Sequence, residues 1–205
     1  MHIEFLLEEP SAEAALEILL PKLGLTGAHS FSTHTFQGKL DLMQKLPNRL
    51  VGYSRWLLDD WRIVVLVDRD REDCKALKNR LERIALEAGL LTRREAGVDG
   101  RFHIVNRIAV EELEAWYFGD VDALCKAYSG VPATLGRKKA FRDPDAIGGG
   151  TWERLEQVLH KAGHCPAGFP KIEAARSIAA HMEPDRNSSK SFCVFRDAVR
   201  QLLGT

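Results

Sequence analysis

The sequence lacks any apolar stretch approaching the roughly 20 residues that a membrane-spanning helix needs. Its start carries Glu4, Glu8, Glu9 and Glu13 and lacks the basic segment and cleavage site of a signal peptide. The four cysteines are far apart and show no paired spacing, which fits neither a disulfide framework nor a structural zinc site. These absences predict a cytoplasmic protein with reduced thiols and no membrane association.

An excess of one charge and the common enzyme motifs are also missing. The 29 basic and 29 acidic residues balance, which argues against a protein that coats nucleic acid by bulk electrostatics but allows a local basic groove. We find no P-loop, no zinc-protease motif, no nucleophile elbow and no dinucleotide-binding glycine pattern. A chain of 205 residues, 45% of them hydrophobic, predicts one compact domain with an appendage.

Strand and helix patterns alternate along the first two thirds of the chain, which is typical of an α/β fold with a mainly parallel sheet flanked by helices. The continuous β-branched run over 63–67 predicts a strand buried on both faces. The other predicted strands are 2–8, 28–37 (at a sheet edge) and 103–110. The predicted helices are 12–24, 39–59 in two pieces split by Pro47, and 71–88. We expect a Rossmann-like core over 1–128 and a C-terminal helical extension over 129–205, with an irregular connection over 129–150 and helices over 151–163, 170–183 and 190–203.

Carboxylates follow three of the predicted strands. They are Glu8 and Glu9, then Asp68 and Asp70, and finally Glu111, Glu112 and Glu114. In an open parallel sheet, sites form at the carboxyl ends of the strands, and carboxylate oxygens are ligands that Mg²⁺ prefers. Asp68 and Asp70 would point to the same side if the strand continues through both. Each acid alone is more often a cap of the helix that follows, so only the meeting of all three strand ends favours a site.

The first junction, LLEEPSAEAAL (6–16), and the strand VVLVDRD (64–70) together resemble the Toprim domain of topoisomerases, primases and overcoming-lysogenisation-defect nucleases. In that fold a glutamate ends the first strand and Asp-x-Asp ends a later one. Here Glu9-Pro10-Ser11 replaces the usual Gly-Pro-Ser/Thr turn, which leaves open whether Glu8 or Glu9 points inward. The chain also resembles a bacterial branch of Toprim-like proteins of unassigned function, through VDRDREDC (67–74), 108–120 and 170–195.

The resemblance implies a nuclease that depends on Mg²⁺ or Mn²⁺ and acts on nucleic acid, DNA ahead of RNA. It implies metal binding by Glu8, Asp68, Asp70 and Glu114, with Glu112 or Glu114, or else Glu111, completing a second metal site. Lys171 would neutralise charge on the phosphate. Phosphates need basic partners, for which the candidates are Arg69, Arg71, Lys171, Arg176 and the run 137–139. The related nucleases carry an ATPase domain that this sequence lacks, so a separate ATPase partner in a defence or repair module is expected.

Two other functions are compatible with these residues. A non-catalytic member of the same fold would keep the acidic cluster as a remnant and use its helices to bind a protein partner. A phosphoacceptor module of the receiver type would need a single acceptor aspartate and a lysine at the end of a later strand, and we identify no such lysine in the sequence. The oligomeric state is left open.

Overall fold

Four parallel strands form the sheet, in the order β2-β1-β3-β4, in a computed structural model that describes residues 1–96, 100–166 and 168–204. The strands are β1 (His2–Leu7), β2 (Ser30–Thr35), β3 (Trp61–Asp68) and β4 (Ile104–Ala109). In the register of the sheet, Leu7 of β1 pairs with Thr35 on one side and Leu66 on the other. The predicted α/β fold is confirmed, and so is the edge position of the second strand.

The longer helices of the described residues lie where the sequence predicts them, with one difference. In chain order they are α1 (Pro10–Lys22), α2 (Lys39–Ser54), α3 (Cys74–Glu87), α4 (Glu114–Phe118), α5 (Val121–Ala127), α6 (Thr151–Lys161), α7 (Lys171–His181) and α8 (Lys190–Leu203). The predicted break at Pro47 is wrong, since α2 continues through this residue. Leu42, Leu46 and Leu50 are fully buried at a spacing of four residues, and their burial offsets the roughly 3 kcal/mol that an internal proline costs.

The chain divides into two compact units. The first comprises Met1–Pro10 and Leu25–Ile108, and the second comprises Ser11–Gly24 and Ala109–Thr205. The sheet therefore belongs mainly to the first unit, whereas α1 is grouped with the C-terminal helices. The division predicted from the sequence, at residue 128, stays a prediction.

In the first unit, α2 and α3 cover one face of the sheet. Their buried side chains form a single apolar cluster with Leu6 of β1 and with Ile63, Val65 and Val67 of β3. Alternate residues of β3, Val64 and Leu66, point to the opposite face and are also buried. Burial on both faces agrees with the continuous apolar run that predicts β3.

In the second unit, charged and aromatic side chains hold the helices together. The ammonium of Lys22, at the end of α1, donates hydrogen bonds of 2.8–3.0 Å to three carbonyl groups at the end of α7. Trp116 of α4 is fully buried between Phe192 and Phe195, and its Nε1–H donates to the Ser191 hydroxyl at 3.0 Å. The segment 129–150 contains only short 3₁₀ turns, as predicted. Among the described helices, none has both the length and the apolar character that a membrane crossing requires.

Candidate functional site

The carboxyl ends of β1 and β3 lie side by side at the point where the strand order reverses. The chain leaves β1 for β2 on one side of it, whereas β3 and then β4 lie on the other side. Ligands of open α/β sheets bind in the crevice outside such a reversal. The predicted ligands Glu8 and Asp68 are the residues at this position.

Glu8 contacts the end of β3 directly. Its Oε2 accepts a hydrogen bond of 3.0 Å from the backbone N–H of Asp68. Burial raises the pKa of Glu8 to about 7; the Asp68 N–H and the Lys39 ammonium act in the lowering direction, and the carboxylates of Asp70 and Glu9 in the raising direction. The negative charge of Glu8 is therefore poorly compensated within the first unit.

Asp70 does not continue the strand, which corrects the expectation that Asp68 and Asp70 alternate along an extended chain. The strand β3 ends at Asp68, and Asp70 has a left-handed backbone with φ of 51°. Aspartate tolerates this conformation better than most residues because its short polar side chain can bond locally. In this turn, Asp70 meets Lys39, the first residue of α2.

Lys39 is the residue of this site that the sequence analysis missed. Its Nζ lies 2.6 Å from Oδ2 of Asp70 and 3.3 Å from Oε1 of Glu72, and it donates to the carbonyl oxygen of Arg69 at 3.0 Å. The side chain is only 15% exposed. Lys39 follows β2, which precedes β3 in the chain, so it is not the lysine after a later strand that a receiver-type module would need.

A signal for Lys39 was present in the sequence. Gly38 precedes it with φ of 91°, a conformation that favours glycine, and its N–H donates to the carbonyl oxygen of Glu8 at 2.9 Å. A glycine between a predicted strand and a predicted helix indicates a tight turn at the carboxyl edge. The lysine after such a turn belongs to the same edge as Glu8 and Asp68.

Two of the predicted phosphate ligands lie in the same loop. Arg69, which lies between Asp68 and Asp70 in the sequence, is half-buried, and Arg71, the residue after Asp70, is exposed. Glu72 closes the loop, because it contacts Lys39 and also accepts from the guanidinium of Arg80 at 2.8 Å. The edge of the sheet thus combines a compact group of carboxylates with basic side chains around it.

The donor chemistry of this edge fits a hard divalent cation. Carboxylate and carbonyl oxygens surround the Lys39 ammonium, so the loop already holds one positive charge. Across residues 1–96, 100–166 and 168–204, no group of three or more His, Cys, Asp or Glu side chains is arranged to hold a metal ion. A metal at this edge requires the Asp70 carboxylate to exchange its ammonium partner for the ion.

Glu112 and Glu114 belong to the second unit. The Oε2 of Glu112 accepts hydrogen bonds of 2.8 Å from the N–H and the hydroxyl of Thr151 and of 3.0 Å from the N–H of Trp152. It therefore caps the start of α6. Glu114 begins α4 and is only 2% exposed. Glu111 precedes both and is half-buried.

Lys171 and Arg176 also lie in the second unit, on α7. Lys171 is the first residue of the helix, and its ammonium lies 5.3 Å from the ring centroid of Trp152, a cation–π contact. Arg176 is exposed on the same helix. The run 137–139 is exposed within the irregular segment.

Comparison with known proteins identifies the family of this chain. Neither the curated proteins nor the solved structures include a match to this chain. The model of one protein family matches residues 7–203, which is nearly the whole length. The chain therefore belongs to the family described as Domain of unknown function (DUF4276).

Proposed function

We propose that this protein is a metal-dependent phosphodiesterase of the Toprim type, most specifically a nuclease that prefers DNA to RNA. The observation that supports the proposal is the hydrogen bond between Glu8 and the backbone of Asp68 at the reversal of strand order. This bond joins two strand ends that are 60 residues apart in the chain. Asp70 adds a third carboxylate from the same loop.

Glu8, Asp68 and Asp70 would hold Mg²⁺ or Mn²⁺. The bound ion would activate water and stabilise the leaving oxygen. Arg69 and Arg71 flank these carboxylates and would orient the phosphate of the substrate. Lys39 neutralises Asp70 before the metal arrives. The roles of Glu112, Glu114, Lys171 and Arg176 stay those that the resemblance implies.

The proposal includes a cytoplasmic location and a separate ATPase partner. All four cysteines are free thiols, which agrees with a reducing compartment. The ATPase follows from the resemblance to nucleases that carry such a domain, and a defence or repair module is the expected setting.

The test is a cleavage assay with the full chain. Supercoiled plasmid, single-stranded DNA and RNA are each incubated with the protein in Mn²⁺, Mg²⁺ or EDTA, with and without ATP and an ATPase encoded beside it. We expect cleavage with a divalent ion, and a loss of about a hundredfold or more in Asp68→Asn, because a ligand that stabilises charge in the transition state is removed. Asp60→Asn is the matched control, since Asp60 precedes the same strand at its opposite end and is exposed.

Absence of cleavage under every condition would contradict the proposal. Equal activity of Asp68→Asn and the wild-type protein would contradict it too, because the carboxylate would then have no part in the reaction.

The ion pair between Lys39 and Asp70 favours the second candidate, a non-catalytic member that binds a protein partner. In that case Lys39 replaces the metal permanently and the acidic cluster is structural. Calorimetric titration with Mn²⁺ separates the two candidates. The non-catalytic member should bind no ion, and Mn²⁺ should not raise its melting temperature.

A further inference from the structure

A cavity of about 490 Å³ lies in the first unit, away from the carboxylates described above. Its wall includes Glu4 and His34 from the sheet, Arg49 and Tyr53 from α2, and Trp56 and Trp61 from the following turn and strand. Glu4 precedes Glu8 by four residues on β1, which separates the two positions by roughly 13 Å along the strand. No function assigned so far uses this cavity.

Aromatic rings form one side of the cavity. The centroids of Tyr53 and Trp56 are 5.1 Å apart, and those of Trp56 and Trp61 are 5.6 Å apart in an edge arrangement. Trp56 is 52% exposed. Its neighbours fix the position of the indole, and its exposed area is free to stack against a planar group.

A buried carboxylate forms the floor. Glu4 is 5% exposed and accepts hydrogen bonds from the Tyr53 hydroxyl at 2.8 Å, His2 Nε2 at 2.9 Å and His34 Nε2 at 2.6 Å. These three donors satisfy the carboxylate, so it does not await a cation. The bond from His34 Nε2 also holds the His34 ring at the cavity wall.

Arg49 favours an anionic group at the open side of the cavity, whereas the negative charge of Glu4 lies at the floor beneath its three donors. The rings of Tyr53, Trp56 and Trp61 could act as an aromatic cage for a quaternary ammonium group. The Arg49 guanidinium, however, already lies 5.6 Å from the ring centroid of Tyr53. A second cation would meet this positive charge. Asn48 lines the same cavity and is exposed, so an amide with both a donor and an acceptor is available.

We propose that this cavity binds one nucleotide unit, with the base stacked on Trp56, the base edge facing Asn48, and the phosphate near Arg49. Stacking on an aromatic side chain and pairing with arginine are the interactions that retain single-stranded nucleic acid. A free nucleotide and a nucleotide within a single strand have this chemistry in common. For a nucleotide within single-stranded nucleic acid, the inference rests on the proposed function, because the cavity would then hold the substrate of the nuclease.

The test is equilibrium binding by calorimetry in EDTA, so that no divalent ion contributes. The probes are the deoxynucleoside monophosphates, the matching nucleosides, and a short single-stranded oligodeoxynucleotide. We expect Trp56→Ala to weaken binding about 5- to 150-fold, the range that removal of one stacking ring produces. Trp56→Phe should retain most of the affinity because it keeps an aromatic face. Arg49→Glu should weaken the binding of nucleotides but not of nucleosides.

Leu58→Ala is the matched control, because Leu58 is exposed in the same turn and does not line the cavity. Thermal melting of each variant shows whether it is folded, and Arg49→Glu, at an exposed position, tests the site if Trp56→Ala fails to fold. No binding of any probe by the wild-type protein would overturn the inference, as would equal affinity in Trp56→Ala and Leu58→Ala.

The two proposals can fail separately. Nucleotide binding that depends on Trp56, in a protein that never cleaves nucleic acid, would support the binding site and reject the nuclease. Cleavage that depends on Asp68, in a protein whose nucleotide affinity ignores Trp56, would do the reverse.

Discussion

Replacing Lys39 by methionine should strengthen the binding of a divalent ion. In the wild-type protein an incoming ion must displace an ammonium that contacts Asp70 at 2.6 Å, Glu72 at 3.3 Å and the carbonyl of Arg69 at 3.0 Å. Methionine has nearly the same length and no charge, so the carboxylates become available without this exchange.

The size of the effect follows from the exposure of the ion pair. The side chains of Lys39 and Asp70 are 15% and 46% exposed, so solvent screens the pair in part and its contribution is about 1 kcal/mol. Removal of the remaining repulsion between the ammonium and a divalent ion brings the total to about 1.4–2 kcal/mol, or a 10- to 30-fold lower dissociation constant. Without metal, the variant should be less stable than the wild-type protein because its carboxylates repel one another.

The measurements are calorimetric titration with Mn²⁺ and thermal melting in Mn²⁺ or EDTA. Lys45→Met is the control, since Lys45 lies on the same helix and forms a comparable ion pair, 2.6 Å from Asp41, at an exposed position. It should leave Mn²⁺ affinity unchanged. Equal or weaker Mn²⁺ binding by Lys39→Met would refute the exchange of lysine for metal. If neither the wild-type protein nor Lys39→Met binds Mn²⁺, the metal site itself is refuted.

Three further predictions concern stability, measured by urea denaturation. Tyr53→Phe removes a hydrogen bond to the buried Glu4 and should cost about 1–3 kcal/mol. Burial alone would raise the pKa of Glu4, but its hydrogen bonds hold that pKa below the ordinary 4.5. The loss of stability in Tyr53→Phe should therefore persist at neutral pH and shrink as the pH falls below 4.5. A loss that is independent of pH would contradict this reasoning. Asp120→Ala removes a fully buried carboxylate from its ion pair with Arg186 and should lower the free energy of unfolding by about 3–5 kcal/mol. Asp185→Ala, which breaks the exposed ion pair with Arg200, should lower it by less than about 1 kcal/mol. Similar losses in the two variants would refute this difference. Glu112→Ala removes the cap of α6 and should cost about 1–2 kcal/mol, whereas unchanged stability would deny the cap any contribution.

The strands and their carboxyl-terminal acids could be predicted because their signals are local. The β-branched run over 63–67 identifies β3, and Asp68 follows it without a gap. The meeting of Glu8 with Asp68 then follows from a general rule, that parallel strands bring their carboxyl ends to one edge. No knowledge of individual contacts was needed for this part of the site.

The conformation of Asp70, the role of Lys39 and the continuity of α2 could not be predicted in the same way, because each depends on partners distant in the chain. Asp70 turns into the left-handed region beside a lysine 31 residues away. The helix α2 continues past Pro47 because leucines on either side of it pack into the core. Such packing overrides the local preference of proline, and a sequence pattern contains only the preference.

Glu4 and Glu8 show why the sequence pattern alone cannot separate a structural acid from a functional one. Both are glutamates of the same segment: Glu4 lies within β1 and Glu8 follows its last residue. Tyr53 and His34, which are 49 and 30 residues away, donate to Glu4 and hold its pKa below the ordinary value. Glu8 receives one backbone N–H and has acidic neighbours, and its pKa is raised to about 7. An added cation would stabilise Glu8 and gain little at Glu4, which already has its donors. The difference in donors, rather than the shared pattern, is therefore the reason to propose Glu8 and not Glu4 as a metal ligand.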